Sequence, residues 1–546
     1  MAVSIGGVIS LVVFYLLILA FGIWAAWRNK RGKKADSEDT MLAGRSIGLF
    51  VGVFTMTATW VGGGYINGSA EIVADYGLWW CQAPVGYTIA LCLGGLFFAS
   101  ELRTKEYATM LDPYQRKYGE VMAAILFIPA LLGETFWSAA ILNALGGSLS
   151  VILELDSKIA VIVSAAVALL YTLVGGLYSV AYTDVLQLIC MFLGLWLSVP
   201  FALTHDAVES ISINVTSVWI EPVEASQSGI YIDGFLLLIF GGIPWQVYFQ
   251  RVLSARTVNI ARGLSFAGAL GCCIMVIPAI LIGAAGAAAD WNKTDYPYPE
   301  TVETNYNIIL PLVLRYLCPE WVGIIALGAV SAAVMSSTDS SFLSASSMFA
   351  RNVFGDLFTK FPREAVILWV MRGAQVVIAV TAAALAIEIQ SVYYLFYLCS
   401  DLVYVILFPQ LTLVIYFQYS NTYGSIMGFI LGFVFRILGG EPTLGLQPVL
   451  EYPWYDPEAG QLFPFKTLSM LISLVTIMLV SLFTHCLFVK CDLSRKFDIF
   501  KCFEENGDFS YTFPEGKDNP VFDGGSKNSI VEKYELKPEK IPDTDN

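Results

Sequence analysis

Two clusters of side chains stand where an apolar helix ought to break. Trp60 comes just before Gly62, Gly63 and Gly64, and Trp245 just after Gly241, Gly242, Ile243 and Pro244. Tyr87 and Trp137 fall at comparable depth in neighbouring apolar runs. Four electron-rich rings meeting at one cavity would suit a quaternary ammonium, which has no N–H to donate and is held by ring faces at about 0.5 to 2 kcal/mol each. A lone Trp in such a chain is more often a lipid-facing or interfacial residue. The pairing of rings with breaks is what points to a site.

The second kind of chemistry is ionic. Ser336, Ser337, Thr338, Asp339, Ser340 and Ser341 interrupt an otherwise apolar run. Hydroxyls and carbonyls at Ser336, Ser337 and an unwound turn facing them are the hard oxygen ligands that a small cation takes. A Ser-rich stretch alone is more often glue between helices, so the reading needs the second span as its partner. Asp184, Asp339 and Asp401 are further candidates, because ionisable groups inside a membrane mark ion paths by default; for Asp184 a place at the interface is an equal alternative. Covalent chemistry has almost nothing to work with. The only two histidines, His205 and His485, sit in neither a metal nor a triad spacing, and no enzyme is expected.

What must position these groups is a stack of membrane helices. Of 546 residues, 56% are hydrophobic and 14% charged, far more apolar surface than a soluble fold could bury, and the ten Cys are scattered through apolar runs rather than set out as a disulfide framework. Apolar runs predict about thirteen spans, at 7–27, 46–70, 78–99, 121–150, 159–179, 185–204, 231–250, 264–289, 321–348, 366–386, 391–416, 424–438 and 467–489. The first is a signal anchor rather than a cleaved signal peptide: its basic flank, Arg28, Lys30, Arg31, Lys33 and Lys34, follows it, and no small-residue cleavage site is present.

That basic flank belongs in the cytoplasm, which puts the N-terminus outside and, with an odd number of spans, the C-terminus inside. Loops then predicted inside carry Arg103, Lys105, Arg116 and Lys117, then Arg251, Arg256 and Arg262, then Arg351, Lys360 and Arg363. Loops predicted outside carry only Lys158, Lys293, Arg315 and Lys466 against roughly nineteen acids, so most of the net charge of −14 is external. Two sequons, at Asn214 and Asn292, fall in those outer loops as glycosylation candidates. From residue 491 the chain loses its apolar pattern, and 491–546 reads as a disordered cytoplasmic tail that binds trafficking proteins.

Paired breaks in the second and seventh spans are the sequence sign of a five-plus-five inverted repeat, with ions and solute bound where the unwound backbone exposes carbonyls and half-helix ends. The expected fold is all-α. Its parts are an extra N-terminal span and basic loop (1–45), a first repeat (46–204), an external loop (205–230), a second repeat (231–416), two C-terminal spans (417–490) and the tail.

The run Val174-Gly175-Gly176-Leu177-Tyr178-Ser179-Val180-Ala181-Tyr182-Thr183-Asp184-Val185-Leu186-Gln187 resembles the signature of the sodium/solute symporter family. Within it, the stretches 55–68, 241–251 and 331–341 are similar to those of choline-carrying members, and the likeness runs from the first span to the thirteenth. The resemblance implies sodium-coupled, chloride-dependent uptake of choline across the plasma membrane of cholinergic nerve terminals, feeding acetylcholine synthesis, with synaptic vesicle or endosomal membrane as a second location. Its ligands would be choline, Na+ and Cl−, with no nucleic acid. The family's main sodium site matches Thr57, Trp60, Ala333, Ser336 and Ser337; a second sodium or coupling site in some relatives matches Asp184 and Ser340, with Asp339 a further candidate. A sodium-coupled sugar symporter is the nearest rival. Sugars need several hydrogen-bonding side chains, and the rings offer few.

Overall fold

In lipid an apolar run can satisfy its backbone groups only by bonding them internally, and in the computed structural model the long runs are helical, with no strand among the described residues. The structure describes residues 5–30, 37–153, 155–173, 176–209, 211, 219–220, 222–359, 363–441, 444–491 and 494–503. Asn214, Glu221 and the tail from 504 onward lie outside them.

The helices that matter here are α1 (Ile5–Lys30), α2 (Leu49–Trp60), α3 (Gly63–Asp75), α4 (Ala83–Leu93), α5 (Glu120–Leu153), α6 (Ser157–Thr172), α7 (Leu177–Leu203), α8 (Ser228–Gly241), α9 (Gln246–Ser254), α10 (Val258–Ala287), α11 (Glu320–Met348), α12 (Glu364–Glu388), α13 (Val392–Tyr416), α14 (Thr422–Leu438) and α15 (Phe465–His485). Among the described residues nine helical segments are long and apolar enough to cross a bilayer, or ten with α2 and α3 counted as one bent span. Three shorter apolar helices, Val12–Ala25, Ser157–Leu170 and Thr422–Leu438, take the remaining expected runs.

Both expected breaks are present. α2 ends at Trp60, α3 starts at Gly63, and the axes differ by 46°. α8 ends at Gly241 and α9 begins at Gln246. The expected fifth run is shorter than 159–179: α6 stops at Thr172, and Gly176 opens α7 in an extended conformation (φ −125, ψ −179) where a Cβ would come within 3.1 Å of Thr40. Asp184 therefore lies two turns inside α7 and is fully buried within the protein.

α11 is the axle of the bundle. It packs against α1, α5, α7 and α12, while α10 packs against α2, α3 and α4, and α13 against α3 and α5. α14 and α15 form a hairpin. Large apolar side chains such as Leu16, Ile162, Leu193, Val377 and Leu479 are exposed, as a lipid-facing surface requires, whereas the polar run from Ser336 to Ser341 is wholly buried. The interior is itself largely apolar, and the polar run is enclosed within it, away from lipid.

Candidate functional site

The two breaks hold the rings. Trp245 sits in extended conformation at the start of α9, and its Nε1 donates to the Gly241 carbonyl at the end of α8 (2.6 Å), so the indole is bolted across the gap that creates it. Trp60 is the last residue of α2. Between them stands Trp137 of α5, with ring centroids 6.4 Å from Trp60 and 5.4 Å from Trp245. Tyr87 of α4 lies 5.0 Å from Trp60, and its hydroxyl is paired with Ser400 Oγ at 2.5 Å. The four rings singled out in the sequence thus line one cavity together with Val247, Phe396 and Cys399. Phe396, 5.2 Å from Tyr87, is a fifth ring that sequence reading missed, because it lies in an uninterrupted apolar run.

The cage wall has little hydrogen-bonding capacity to spare. The hydroxyl of Tyr87 and the N–H of Trp245 are engaged as described, and Trp60 Nε1 is buried without a partner among the described residues. Both upstream half-helices end beside the cage, and the carbonyl ends of such helices favour a cation.

Beneath the first break, Ser337 of α11 faces the turn. Its Oγ donates to the carbonyls of Ala58 (3.4 Å) and Thr59 (3.2 Å), at the end of α2 where the helical ladder is interrupted. The approach is close enough to require glycine: a Cβ on Gly62 would stand 1.8 Å from Ser337 Oγ. Ser336, one position earlier, turns instead to Asp184 of α7, donating to Oδ1 at 2.5 Å, while Thr55 Oγ1 donates to Oδ2 at 2.5 Å. Thr57 is buried against Gly271 of α10, and its carbonyl accepts from Val61 N at 2.8 Å. Ala333 lies on α11, one turn before Ser336 and Ser337. The structure therefore brings Ser337 to the carbonyl end of α2, while Ser336 faces Asp184 and the side chain of Thr57 is turned toward α10.

The other acids go elsewhere. Asp339 accepts from Thr172 Oγ1 of α6 at 2.7 Å. Asp401 belongs to a separate buried network, bonded through both oxygens to Arg436 Nε at 2.8 Å and lying 3.4 Å from Lys466 Nζ. Ser340 accepts from Arg251. Arg251 and Lys466, counted in the sequence as loop bases, are both buried. Glu134 of α5, buried and accepting from Ser341 (3.0 Å) and Ser344 (2.8 Å), was legible as an acid inside an expected span and was passed over. Asn292 is exposed on a short turn where Asp290 accepts its backbone N–H at 3.3 Å; Lys293, 3.0 Å away, holds the Asp290 carboxyl below its usual range. No group of three or more His, Cys, Asp or Glu able to hold a metal occurs among the described residues.

The family model described as the sodium:solute symporter family matches residues 41–432. The chain belongs to that family. It is a multi-pass membrane transporter coupled to sodium. Among its relatives, a fly (Drosophila melanogaster) protein named high-affinity choline transporter 1 is 54% identical over 504 residues, covering 92% of this symporter and 82% of that protein. A human (Homo sapiens) protein named high affinity choline transporter 1 is 54% identical, covering 92% and 89%. A rabbit (Oryctolagus cuniculus) sodium/glucose cotransporter 1 is 26% identical, covering 87% and 78%. Of solved structures, the substrate-bound outward-open state of a Na+-coupled sialic acid symporter superposes with a TM-score of 0.70 at 16% identity, covering 88% of this chain and 98% of that one. The inverted-repeat fold expected from the paired breaks is therefore the fold of this symporter.

Proposed function

We propose that this symporter carries choline into the cell together with sodium and chloride, across the plasma membrane of cholinergic terminals, and so supplies acetylcholine synthesis. The observation that carries the reading is the cage: four aromatic rings, two of them at the helix breaks and two on neighbouring helices, with one buried donor to spare at Trp60 Nε1. Choline is a cation with three methyl groups and one hydroxyl. Ring faces hold the first, and a single donor matches the single hydroxyl oxygen. A sugar would leave most of its hydroxyls unpaired against this wall, which sets the rival reading aside. The relatives named for choline support the same substrate.

Sodium acts at the break. Bound between the Ala58 and Thr59 carbonyls and the Ser337 hydroxyl, with Ser336 turned from Asp184 to complete the set and the backbone of Trp60, Thr57 and Ala333 within the same turns, it would join α2 to α11 and hold the ring of Trp60 in place. Coupling then follows, since choline needs that ring and the ion stabilises the turn that presents it. The N-terminus is outside and the tail is cytoplasmic, where it meets trafficking proteins; Asn214 and Asn292 then face outward as glycan acceptors. The domain division follows the two repeats, 46–204 and 231–416.

The test is uptake of labelled choline by cells expressing the chain, with external sodium replaced by N-methylglucamine and, separately, chloride replaced by gluconate. Uptake that survives removal of sodium, or labelled glucose carried in its place, overturns the proposal.

A further inference from the structure

Behind the cage wall stands a buried acid that neither the rings nor the sodium break uses. Glu134 of α5 is 1% exposed, and it lies one turn before Trp137 on the same face of the helix. Its neighbour Gly133 is near enough to Trp245 that a Cβ there would stand 3.6 Å from the edge of the indole. The carboxylate faces the backbone N–H of Val247 and lies within electrostatic reach of Cys399, and both of those residues line the cage. Glu134 is thus set against the wall, not in it.

The side chains bonded to it carry no charge. Oε2 accepts from Ser341 Oγ at 3.0 Å and Oε1 from Ser344 Oγ at 2.8 Å, both on α11. Among the described residues Glu134 enters no ion pair; the guanidinium that its field reaches, that of Arg251, lies 3.8 Å from Asp184 and donates to Ser340. A carboxyl group in a low-dielectric interior with no bonded cation is answered either by a proton or by a mobile cation. The cage in front of this one is shaped for a permanent cation, so the second answer fits. Each ring face attracts weakly, whereas a full charge behind the rings acts through them at a distance. Bonded to α11, the carboxylate stays behind the wall and acts by its field alone.

We propose that Glu134 is the counter-charge for the cargo: ionised and held behind the rings by Ser341 and Ser344, it makes the cage select a quaternary ammonium over an uncharged molecule of the same shape. The inference rests on the choline reading for the identity of that ammonium, and deepens it. The rings fix shape and methyl contacts; the carboxylate fixes the sign of the charge. Glu134 is a specificity-determining residue that touches no atom of the ligand.

Choline has an uncharged twin, 3,3-dimethyl-1-butanol, in which carbon replaces the ammonium nitrogen. Equilibrium binding of labelled choline to the purified full-length protein at saturating sodium, and its displacement by the twin, give one selectivity ratio for each variant. Glu134→Gln keeps the size and removes the charge. It is expected to weaken choline and leave the affinity of the twin unchanged, so that the ratio falls by about tenfold or more. Ser344→Ala loosens the carboxylate without removing its charge, and is expected to keep the parent ratio. Both ligands weakened together in Glu134→Gln, at an unchanged ratio, overturns the proposal, because that is the mark of a merely structural role. No change in either affinity also overturns it, since the group then carries a proton throughout. If Glu134→Gln does not fold, its combination with Ser341→Asp decides, because that pair returns a carboxylate to the same spot from α11: the parent ratio upholds the proposal and a lost ratio overturns it. Choline that does not bind the parent defeats the choline reading, whereas a parent that binds choline at the same ratio as Glu134→Gln defeats this inference alone.

Discussion

At the scale of single residues, the cage has no slack. Ring centroids 5.0 to 6.4 Å apart are contact distances, so each indole supports its neighbour. Trp137 touches both Trp60 and Trp245 and is the keystone. Replacing Trp60, Trp137 or Trp245 by Ala is expected to weaken choline binding at least tenfold, about 1.4 kcal/mol each, in competition binding on surface-expressed protein. Tyr87→Phe keeps the ring face and loses the hydroxyl's bonds to Ser400, the Phe396 carbonyl and Cys399, so its effect should be smaller. Unchanged affinity in Trp137→Ala and Trp245→Ala would remove the cage from the mechanism. Ser337→Ala should raise the sodium concentration for half-maximal uptake while leaving maximal binding of a cage-filling inhibitor at saturating sodium intact; wild-type sodium dependence would place the ion elsewhere. The rings were legible in the sequence because they adjoin glycines. Phe396 and Arg251 were not: the first has no local mark, and the second is buried by partners 67 and 89 positions away, Asp184 and Ser340, which no local pattern connects to it.

At the scale of elements, the first break is a lock between α2, α3 and α11. Gly62 has an extended backbone (φ −105, ψ −167) that any residue adopts, so conformation does not demand glycine there. Space does. A Cβ would lie 1.8 Å from Ser337 Oγ and 2.5 Å from its Cβ, so Gly62→Ala must push α11 away from the carbonyl end of α2. The expected outcome is loss of sodium-stimulated uptake with the protein still at the surface. Gly373→Ala on α12, where a Cβ meets nothing within 4 Å, should leave uptake unchanged. Equal uptake in the two variants, measured per copy at the surface by biotinylation, would show that the break tolerates widening and does not assemble the ion site. The breaks themselves were plain from the glycine runs, whereas the end of α6 at Thr172 was not. Apolar composition continues across that turn, and the packing of Gly176 on Thr40, distant in sequence, decides where the helix stops.

At the scale of the whole molecule, charge is sorted by end, and on the proposed orientation the outer end is strongly acidic. Among the acids of those loops, Asp206, Glu209, Glu224, Asp295, Glu300, Glu303, Glu451 and Glu458 are exposed. The buried placement of Lys466 beside Asp401 takes one of the few outer bases off that surface. Both transported cations must cross this field. A negative vestibule raises their local concentration, an effect screened over about 8 Å at physiological salt and over longer distances in dilute solution. Neutralising Glu224, Glu300 and Glu303 together is therefore expected to lower apparent choline affinity, and to do so most at low ionic strength. The measurement is the concentration dependence of choline uptake at several ionic strengths, held iso-osmotic at fixed sodium and chloride so that coupling ions do not vary. Exposed carboxylates act only through their field, so their contribution must fade as salt rises. A loss of affinity that is the same at every ionic strength would mean that the substitutions disturb the loops rather than the field, and no loss at all would mean that these acids serve solvation alone.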